Sequence, residues 1–186
     1  ESHQKRVLFN LAIGAYASYQ WSHGPRFEDS YVHSLPAGEG DFLKRMETIN
    51  LFYDFSCSGY PFFVLDTRTQ RHKQEKGTQD NHLLGKPALH ESEPSQLDRV
   101  CAWLKHMNQI RKNAPKFIVT ASVFLPNGVD ERAGKDQDKS DSWPAFPKTR
   151  AALLKTIVEN KIENVVFLSG DVHCSNISKL EFIGKG

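Results

Sequence analysis

The sequence predicts an α/β fold, a mixed sheet with flanking helices, and three patterns support this class. Two short apolar runs, residues 117–119 and 165–168, are typical of strands that are buried on both faces of a parallel sheet. Apolar residues at helical spacing lie between the two runs, so the three segments predict a βαβ unit. Farther upstream, the apolar segments 49–57 and 62–65 are separated by Ser58-Gly59, which predicts a β-hairpin.

The N-terminal segments are predicted to form a helix, a loop and a strand. Residues 6–21 are dense in apolar and aromatic side chains, so we expect a largely buried helix that ends before Pro25. Gly and Pro residues interrupt the next stretch, and residues 22–47 are therefore expected to form a loop. Apolar and polar residues then alternate over residues 49–57, which predicts a half-buried strand.

Two helices and a final strand are predicted in the second half of the chain. Ser95 begins a segment that resembles a capping box, and apolar residues then recur at helical spacing over residues 97–110. A long polar loop over residues 127–142 follows, and Pro147 is expected to start the second helix. The alternation over residues 179–182 predicts a last, half-exposed strand.

The composition is typical of one globular domain and argues against several kinds of partner. The chain has 186 residues, which suits a single domain at about 100–200 residues per domain. Its 24 basic and 22 acidic side chains give a net charge of +2, and no like-charge block resembles a nucleic-acid-binding tail. No run approaches the roughly 18 apolar residues of a membrane span.

The cysteines and the N-terminus leave the cellular compartment open. Cys57, Cys101 and Cys174 form neither a zinc spacing nor a disulfide framework, which favours a reducing compartment. Cys101 lies on the apolar stripe of its predicted helix and is interpreted as a small core residue. No signal peptide is visible, but the chain begins at Glu1 without a Met, so a leader can have been removed or left out.

The strongest functional signal follows the apolar run at residues 165–168. Asp171 and His173 come directly after Ser169 and Gly170, and side chains two apart in an extended chain point to the same side. They would meet beyond the carboxyl end of a strand, where open α/β sheets place their ligands. One oxygen and one nitrogen donor are half of a metal site. An Asp that bonds turn amides, beside a histidine satisfied by its neighbours, is the alternative.

A second group of polar residues follows the strand predicted at residues 62–65. Asp66, Arg68 and Arg71 can form a fixed ion-pair network, or the guanidinium groups can bind a phosphate in a bidentate manner. The next segment is polar and irregular, and His82 and His90 within it are interpreted as solvated loop histidines.

Three kinds of hydrolase chemistry have sequence requirements that these motifs can meet or fail to meet. A cysteine phosphatase would need an Arg six residues after Cys174, but that position is Leu180, and no Gly occurs between Cys174 and Ile183. Cys174 is therefore expected to be a bystander thiol. A Ser-His-Asp hydrolase would need a Gly-x-Ser-x-Gly elbow, which the sequence lacks. A metal-assisted phosphoesterase with Asp171 and His173 as ligands is compatible with the motifs.

Several blocks, in the same order as in a known family, support that chemistry. The blocks are Ala15-Tyr16 with Tyr19-Gln20, Phe63-Val64-Leu65-Asp66-Thr67-Arg68 with Arg71, Leu84-Gly85, Gln96-Leu97, Trp103-Leu104, Asp141 with Trp143, Phe146-Pro147 with Arg150, and Ser169-Gly170-Asp171-Val172-His173. With these blocks in this order, the chain resembles the PhoD-like (alkaline phosphatase D type) metallophosphatases of the calcineurin-like superfamily.

The resemblance implies a fold, a chemistry and a set of site residues. The fold would be part of a four-layer α/β/β/α sandwich, and the substrate would be a phosphomonoester or phosphodiester. Two or more divalent or trivalent ions (Fe, Ca, Mn or Zn) would activate a water or hydroxide for in-line attack on phosphorus. Asp171 and His173 would be metal ligands, His173 would take part in catalysis, and Arg68 would bind phosphate oxygens. Family members are often exported.

The family's early metal motifs are missing, which limits what this chain can do. Gly40-Asp41 and Asn81-His82 occur, but no predicted strand precedes either pair, so we interpret both as unrelated to the site. Residues 1–186 are therefore expected to be the C-terminal part of a PhoD-like domain and inactive alone. Residues 117–119 would then be partly uncovered, which predicts either self-association or dependence on the missing segment. A non-catalytic binding or regulatory module is the competing interpretation.

Overall fold

The structure, a computed structural model, divides into two compact units, residues 1–50 and residues 51–186. It describes positions 7–8, 11–12, 14–16, 19–20, 51–73, 81–85, 94–124, 143–170, 175 and 177–182. The loops predicted at residues 22–47 and 127–142 lie outside the described residues.

The described part of the first unit is helical at positions 7–8, 11–12, 14–16 and 19. The predicted helix is therefore confirmed at these positions, but its predicted burial is wrong. Leu8 is 67% exposed, Leu11 60% and Tyr19 84%. The density of apolar side chains indicated a helix, but it did not show whether another element covers them. No helix in the described residues is long and apolar enough to cross a membrane.

The described part of the second unit contains one mixed four-stranded sheet, which confirms the predicted α/β class. The strands lie in the order β1-β2-β3-β4: β1 Tyr53–Cys57, β2 Tyr60–Val64, β3 Lys116–Val119 and β4 Val165–Leu168. The first pair is antiparallel, whereas β2, β3 and β4 are parallel to one another.

The β1–β2 hairpin turns at Ser58 and Gly59, as the sequence predicted. Both residues have positive φ, +49° and +82°, which is the conformation of the two-residue type I′ turn that matches strand twist. The Arg111 guanidinium donates a hydrogen bond to the Gly59 carbonyl. The predicted half-burial of the first strand is wrong, because β1 is an edge strand and is exposed after Tyr53.

Two helices connect the parallel strands. α1 spans Gln96–Ile110 and α2 spans Pro147–Glu159, preceded by a short 3₁₀-helix at Trp143–Ala145. α1 begins with the predicted capping box, and α2 begins at Pro147 as predicted. Side chains of both helices share one buried core with the same side of the sheet, formed by Phe63, Ile118, Val100, Leu104, Leu153 and Ile157. Both helices therefore cover one sheet face.

The other sheet face carries no charged side chain, and we call it the uncharged face. Its residues, set by the strand register, are Tyr53, Phe55, Cys57, Tyr60, Phe62, Val64, Phe117, Val119, Val166 and Leu168. The Phe62 ring stacks between those of Phe55 and Phe117, with ring centroids 4.9 and 4.6 Å apart. All of its side chains are half-buried or exposed. The prediction that residues 117–119 are partly uncovered is therefore confirmed for Phe117 and Val119.

The last two strands differ from their predictions. β4 is an edge strand with half-buried residues and an exposed Leu168, so its predicted burial on both faces is wrong. A continuous apolar run indicates a strand, but it does not show how many neighbours cover it. Residues 179–182 form no strand and are exposed, and Lys179 pairs with Glu181 along the chain.

Candidate functional site

The carboxyl ends of β2, β3 and β4 lie side by side. The backbone N–H of Leu65 donates to Val119 O at 2.9 Å, and that of Thr120 donates to Leu168 O at 2.9 Å. The segments that follow these strands, residues 66–71, 120–122 and 169–170, therefore leave from one edge of the sheet. Parallel α/β sheets place their ligands at this edge.

Asp66 builds the turn that follows β2. Its Oδ1 accepts hydrogen bonds from the backbone N–H groups of Arg68 and Thr69, both at 2.9 Å, and the Thr69 hydroxyl donates to Oδ2. The side chain thereby takes the place of a backbone acceptor in an Asx-type turn. Asp66 shapes the loop that carries the exposed Arg68, a role that sequence reasoning did not assign.

Gln96, the first residue of α1, holds this turn from the helix side. Its Oε1 accepts from the Asp66 backbone N–H at 2.8 Å, and its Nε2 donates to the Asp66 carbonyl at 2.9 Å. Nε2 also donates to Gln70 Oε1 at 3.4 Å. The Gln96 side chain is 1% exposed, so one buried amide pairs with both polar groups of one backbone residue.

Thr67 contributes a buried hydroxyl to the same turn. The residue is 3% exposed, and its Oγ1 has no hydrogen-bond partner within the described ranges. Buried hydroxyl groups nearly always have a partner, so an unsatisfied one needs an explanation. It lies next to Arg68 in the chain, at the edge where a ligand is expected.

The end of β3 is fixed by an aromatic cluster. The Trp143 Nε1–H donates to Thr120 Oγ1 at 3.2 Å, and the Phe124 ring meets the Trp143 ring edge to face with centroids 4.8 Å apart. Phe124 also stacks on Phe167 of β4. Trp143 and Phe146, which carried part of the family resemblance, are therefore structural residues of the core beside the sheet edge.

The end of β4 is open in the described part of the chain. Ser169 and Gly170 are exposed, and a Cβ added to Gly170 would have no atom within 4 Å. Asp171, His173 and Cys174 lie outside the described residues, as do His90 and the pair Gly40-Asp41. The pairing of Asp171 with His173, and the roles given to both, therefore stay predictions.

The interpretation of His82 as a solvated histidine is wrong. The residue is 7% exposed and forms an isolated antiparallel β-bridge with His72. A polar, irregular sequence gave no signal for this contact, because one bridge needs only one residue from each segment.

The predicted metal ligands are too few for a complete site by themselves. Asp171 and His173 offer one oxygen and one nitrogen donor, which suits zinc, manganese or iron, but catalytic sites use about three protein ligands. In the part of the chain that the structure describes, no three His, Cys, Asp or Glu residues lie close enough to hold an ion. A complete site of this kind would need at least one further ligand.

The half-buried Cys101 and the buried Lys116 are ionisable groups with structural roles. Burial raises the pKa of the Cys101 thiol, while the Thr156 hydroxyl, 3.4 Å from Sγ, opposes the shift. Burial lowers the pKa of Lys116, and the charge of Glu163 opposes it. Cys101 packs against the core, as the sequence predicted.

Comparison with known protein families supports the resemblance found in the sequence. A family model described as PhoD-like phosphatase matches residues 31–183. Because the match covers most of the sequence, the chain belongs to the PhoD-like phosphatase family, and this membership indicates a hydrolase of the phosphatase class. Neither a curated protein nor a solved structure matches the chain.

Proposed function

We propose that this chain is the C-terminal part of a metal-dependent phosphoesterase domain, which hydrolyses phosphomonoesters or phosphodiesters. The observation that carries the proposal is the common edge at which β2, β3 and β4 end. The turn with Arg68 follows β2, and the Asp171-Val172-His173 sequence begins three residues after the end of β4 at Leu168. Family membership supports the reaction class.

Asp171 and His173 would hold the metal in part, as one oxygen and one nitrogen ligand. When bound, the ions supply activation of a water molecule and neutralisation of phosphate charge. His173 would also orient the reacting groups. The remaining ligands would come from the family's earlier motifs, so we expect the 186-residue chain to show no appreciable turnover by itself with manganese, calcium, zinc or iron.

Arg68 would bind the non-reacting oxygens of the phosphate. The turn around Asp66 points the backbone of Arg68 in a fixed direction, because two amides and one hydroxyl hold the Asp66 carboxylate. A planar guanidinium can donate two parallel hydrogen bonds to a phosphate. The buried Thr67 hydroxyl, with no partner within the described ranges, is a further donor beside it.

The test uses the parent protein that carries the earlier motifs. Asp171→Asn should lower bound metal and turnover of an aryl phosphate together, because the oxygen ligand becomes neutral. Arg68→Gln should keep the metal and raise KM by about 10-fold or more, since a hydrogen bond to a charged group contributes about 1.5–3 kcal/mol. Asp54→Asn is the matched control, because Asp54 is exposed on β1. Unchanged metal content and turnover in Asp171→Asn would refute the assignment.

A binding module is the second candidate function, and the uncharged face favours it. Phe55 is 43% exposed, Tyr60 47% and Leu168 40%, and extended apolar patches of this kind favour association. We propose that a second copy of this chain is the occupant. Because none of the residues on the uncharged face is charged, two copies can meet there without like-charge repulsion.

Self-association can be tested with two variants of equal exposure. Phe55 on the uncharged face and Val158 on α2 are both 43% exposed. Light scattering should show that the chain associates, that Phe55→Lys shifts it towards monomer, and that Val158→Lys does not. A monomer over the whole accessible concentration range would exclude a second copy as the occupant.

A further inference from the structure

His72 and His82 are held directly opposite each other outside the main sheet. Each backbone N–H donates to the carbonyl of the other residue at 2.7 Å. An antiparallel pair that exchanges both hydrogen bonds places its two side chains on the same face of the two segments. The imidazole rings accordingly lie side by side, with centroids 6.5 Å apart and planes 29° from parallel.

The backbone on the His82 side is fixed by contacts with α2 and with the residues before it. Asn81 Nδ2 donates to the Ala145 carbonyl at 3.0 Å, and the Leu83 N–H donates to Thr149 Oγ1 at 3.0 Å. Asn81 and Leu83 are fully buried. Because both neighbours of His82 are anchored, the position of its backbone does not depend on a ligand.

The backbone on the His72 side is fixed by the turn that follows β2. Gln70, two residues before His72, accepts a hydrogen bond from the buried Gln96 amide at 3.4 Å. His72 itself is half-buried, so its ring remains accessible while its backbone is held by the bridge. The backbones of both histidines are therefore held in place before any ligand arrives, which lowers the entropy cost of binding.

We propose that His72 and His82 together bind one divalent transition-metal ion of the zinc, nickel or copper class. Imidazole nitrogen suits these ions, and bonds of about 2.0–2.1 Å to one ion bring two ring nitrogens within about 4 Å of each other. Rings whose centroids are 6.5 Å apart reach this separation by side-chain rotation. Water completes the coordination.

This site differs from the predicted Asp171 and His173 site in both donors and charge. Within the described residues it offers two imidazole nitrogen ligands and no carboxylate, which favours zinc, nickel or copper over calcium or magnesium. Arg71 and Lys73 flank His72, but neighbours in an extended segment point to the opposite side. Their positive charges lower the affinity for a cation, so the expected site is weaker than one with a carboxylate ligand.

The test titrates the chain with Ni²⁺ and measures binding by calorimetry. An Asp171→Asn/His173→Asn background removes the other predicted ligands, and this background should still bind one ion. In this background, His72→Ala should weaken Ni²⁺ binding by at least about 10- to 100-fold. Removal of a residue that only supports a metal ligand already costs this much affinity. His106→Ala is the matched control, because His106 is exposed on α1. Equal affinity with and without His72 would overturn the proposal.

A second measurement reads the ligands directly. Electron paramagnetic resonance of bound Cu²⁺ in the same background should show coupling to two imidazole nitrogens, and to one after His72→Ala. His82→Gln should give the same loss, with circular dichroism to verify that the fold is intact. A one-nitrogen spectrum before any histidine is removed would also overturn the proposal. Neither result bears on Asp171, whose test uses a different variant.

Discussion

Replacement of Gln96 by leucine tests whether the buried amide holds the turn after β2. The side chain is 1% exposed and pairs with both polar groups of the Asp66 backbone, at 2.8 and 2.9 Å. Gln96→Leu keeps the size of the side chain but removes both hydrogen bonds. Each buried backbone group that loses its partner costs about 1–3 kcal/mol, so two groups cost roughly 2–6 kcal/mol before relaxation.

The expected loss is in the lower half of that range, about 3 kcal/mol, because leucine adds apolar burial and the turn can shift towards water. Urea unfolding followed by circular dichroism measures it. Gln109→Leu is the matched control, since Gln109 lies on the same helix and is exposed. If Gln96→Leu unfolds at the same urea concentration as Gln109→Leu, the amide does not hold the turn.

Gln96→Glu distinguishes the two hydrogen bonds. The introduced carboxyl group still accepts from the Asp66 N–H, but when ionised it has no donor for the Asp66 carbonyl and repels it. Protonation restores the donor, so burial and repulsion raise the pKa of the introduced group in the folded state. A raised folded pKa gives stability that is present below the unfolded pKa and is lost as pH rises through the folded pKa. Gln96→Glu should therefore approach the wild type at acidic pH, whereas Gln96→Leu should not.

Three further predictions concern single positions. The Lys116 ammonium donates hydrogen bonds to the carbonyls of Lys112, Ala114 and Glu163 at 2.9, 3.1 and 3.0 Å. Lys116→Met should lower the free energy of unfolding by about 2 kcal/mol, because the lost hydrogen bonds are offset in part by the removal of a buried charge. Lys155→Met removes only an exposed pair with Glu159 and should cost at most about 0.5 kcal/mol; equal costs in urea unfolding would contradict the role of Lys116. Gly59→Ala should destabilise the hairpin by about 1–2 kcal/mol because φ is +82°, whereas Gly170→Ala should leave thermal stability unchanged. If the parent protein with Gly170→Ala stays folded but loses activity, a ligand binds close to that position. If the variant unfolds, the result contradicts the open space found around Gly170. Burial raises the pKa of Cys101 above 9.0, so its stabilising effect is full below that pH and is lost as pH rises through the folded pKa. The stability advantage of the wild type over Cys101→Ala should therefore shrink at alkaline pH, and a constant difference would contradict this.

The strands and helices of the second unit were predictable because their signals are local. The turn at Ser58-Gly59, the capping box at Ser95 and the start of α2 at Pro147 each depend on a few adjacent residues. Burial was harder to predict, because it depends on which neighbours a strand acquires. β4 has the apolar run of a central strand but lies at the sheet edge, and the sequence of a strand does not state its place in the sheet.

The sequence predicts which residue types belong to the candidate site, but not how the fold positions them. Arg68 is predicted to bind phosphate because a guanidinium suits it, but the residues that fix the turn carrying it are not apparent from the sequence. Gln96 lies 30 residues from Asp66 in the chain, and only the fold brings its amide to the turn. His82 was misread for the same reason, because its contact with His72 spans a stretch with no periodic pattern.

We propose phosphate binding and metal binding for different parts of this chain. The turn after β2 is built entirely from residues of the chain: Asp66 closes it, and Gln96 joins it to α1. The proposed metal ligands differ in this respect, because Asp171 and His173 would supply only two donors and, among the described residues, no three His, Cys, Asp or Glu lie close enough to hold an ion. We therefore expect phosphate binding through Arg68 to persist without a complete metal shell. If the chain binds inorganic phosphate through Arg68 while showing no turnover with added metal, the two functions are separable; if Arg68→Gln leaves phosphate binding unchanged, the turn does not position a phosphate-binding residue.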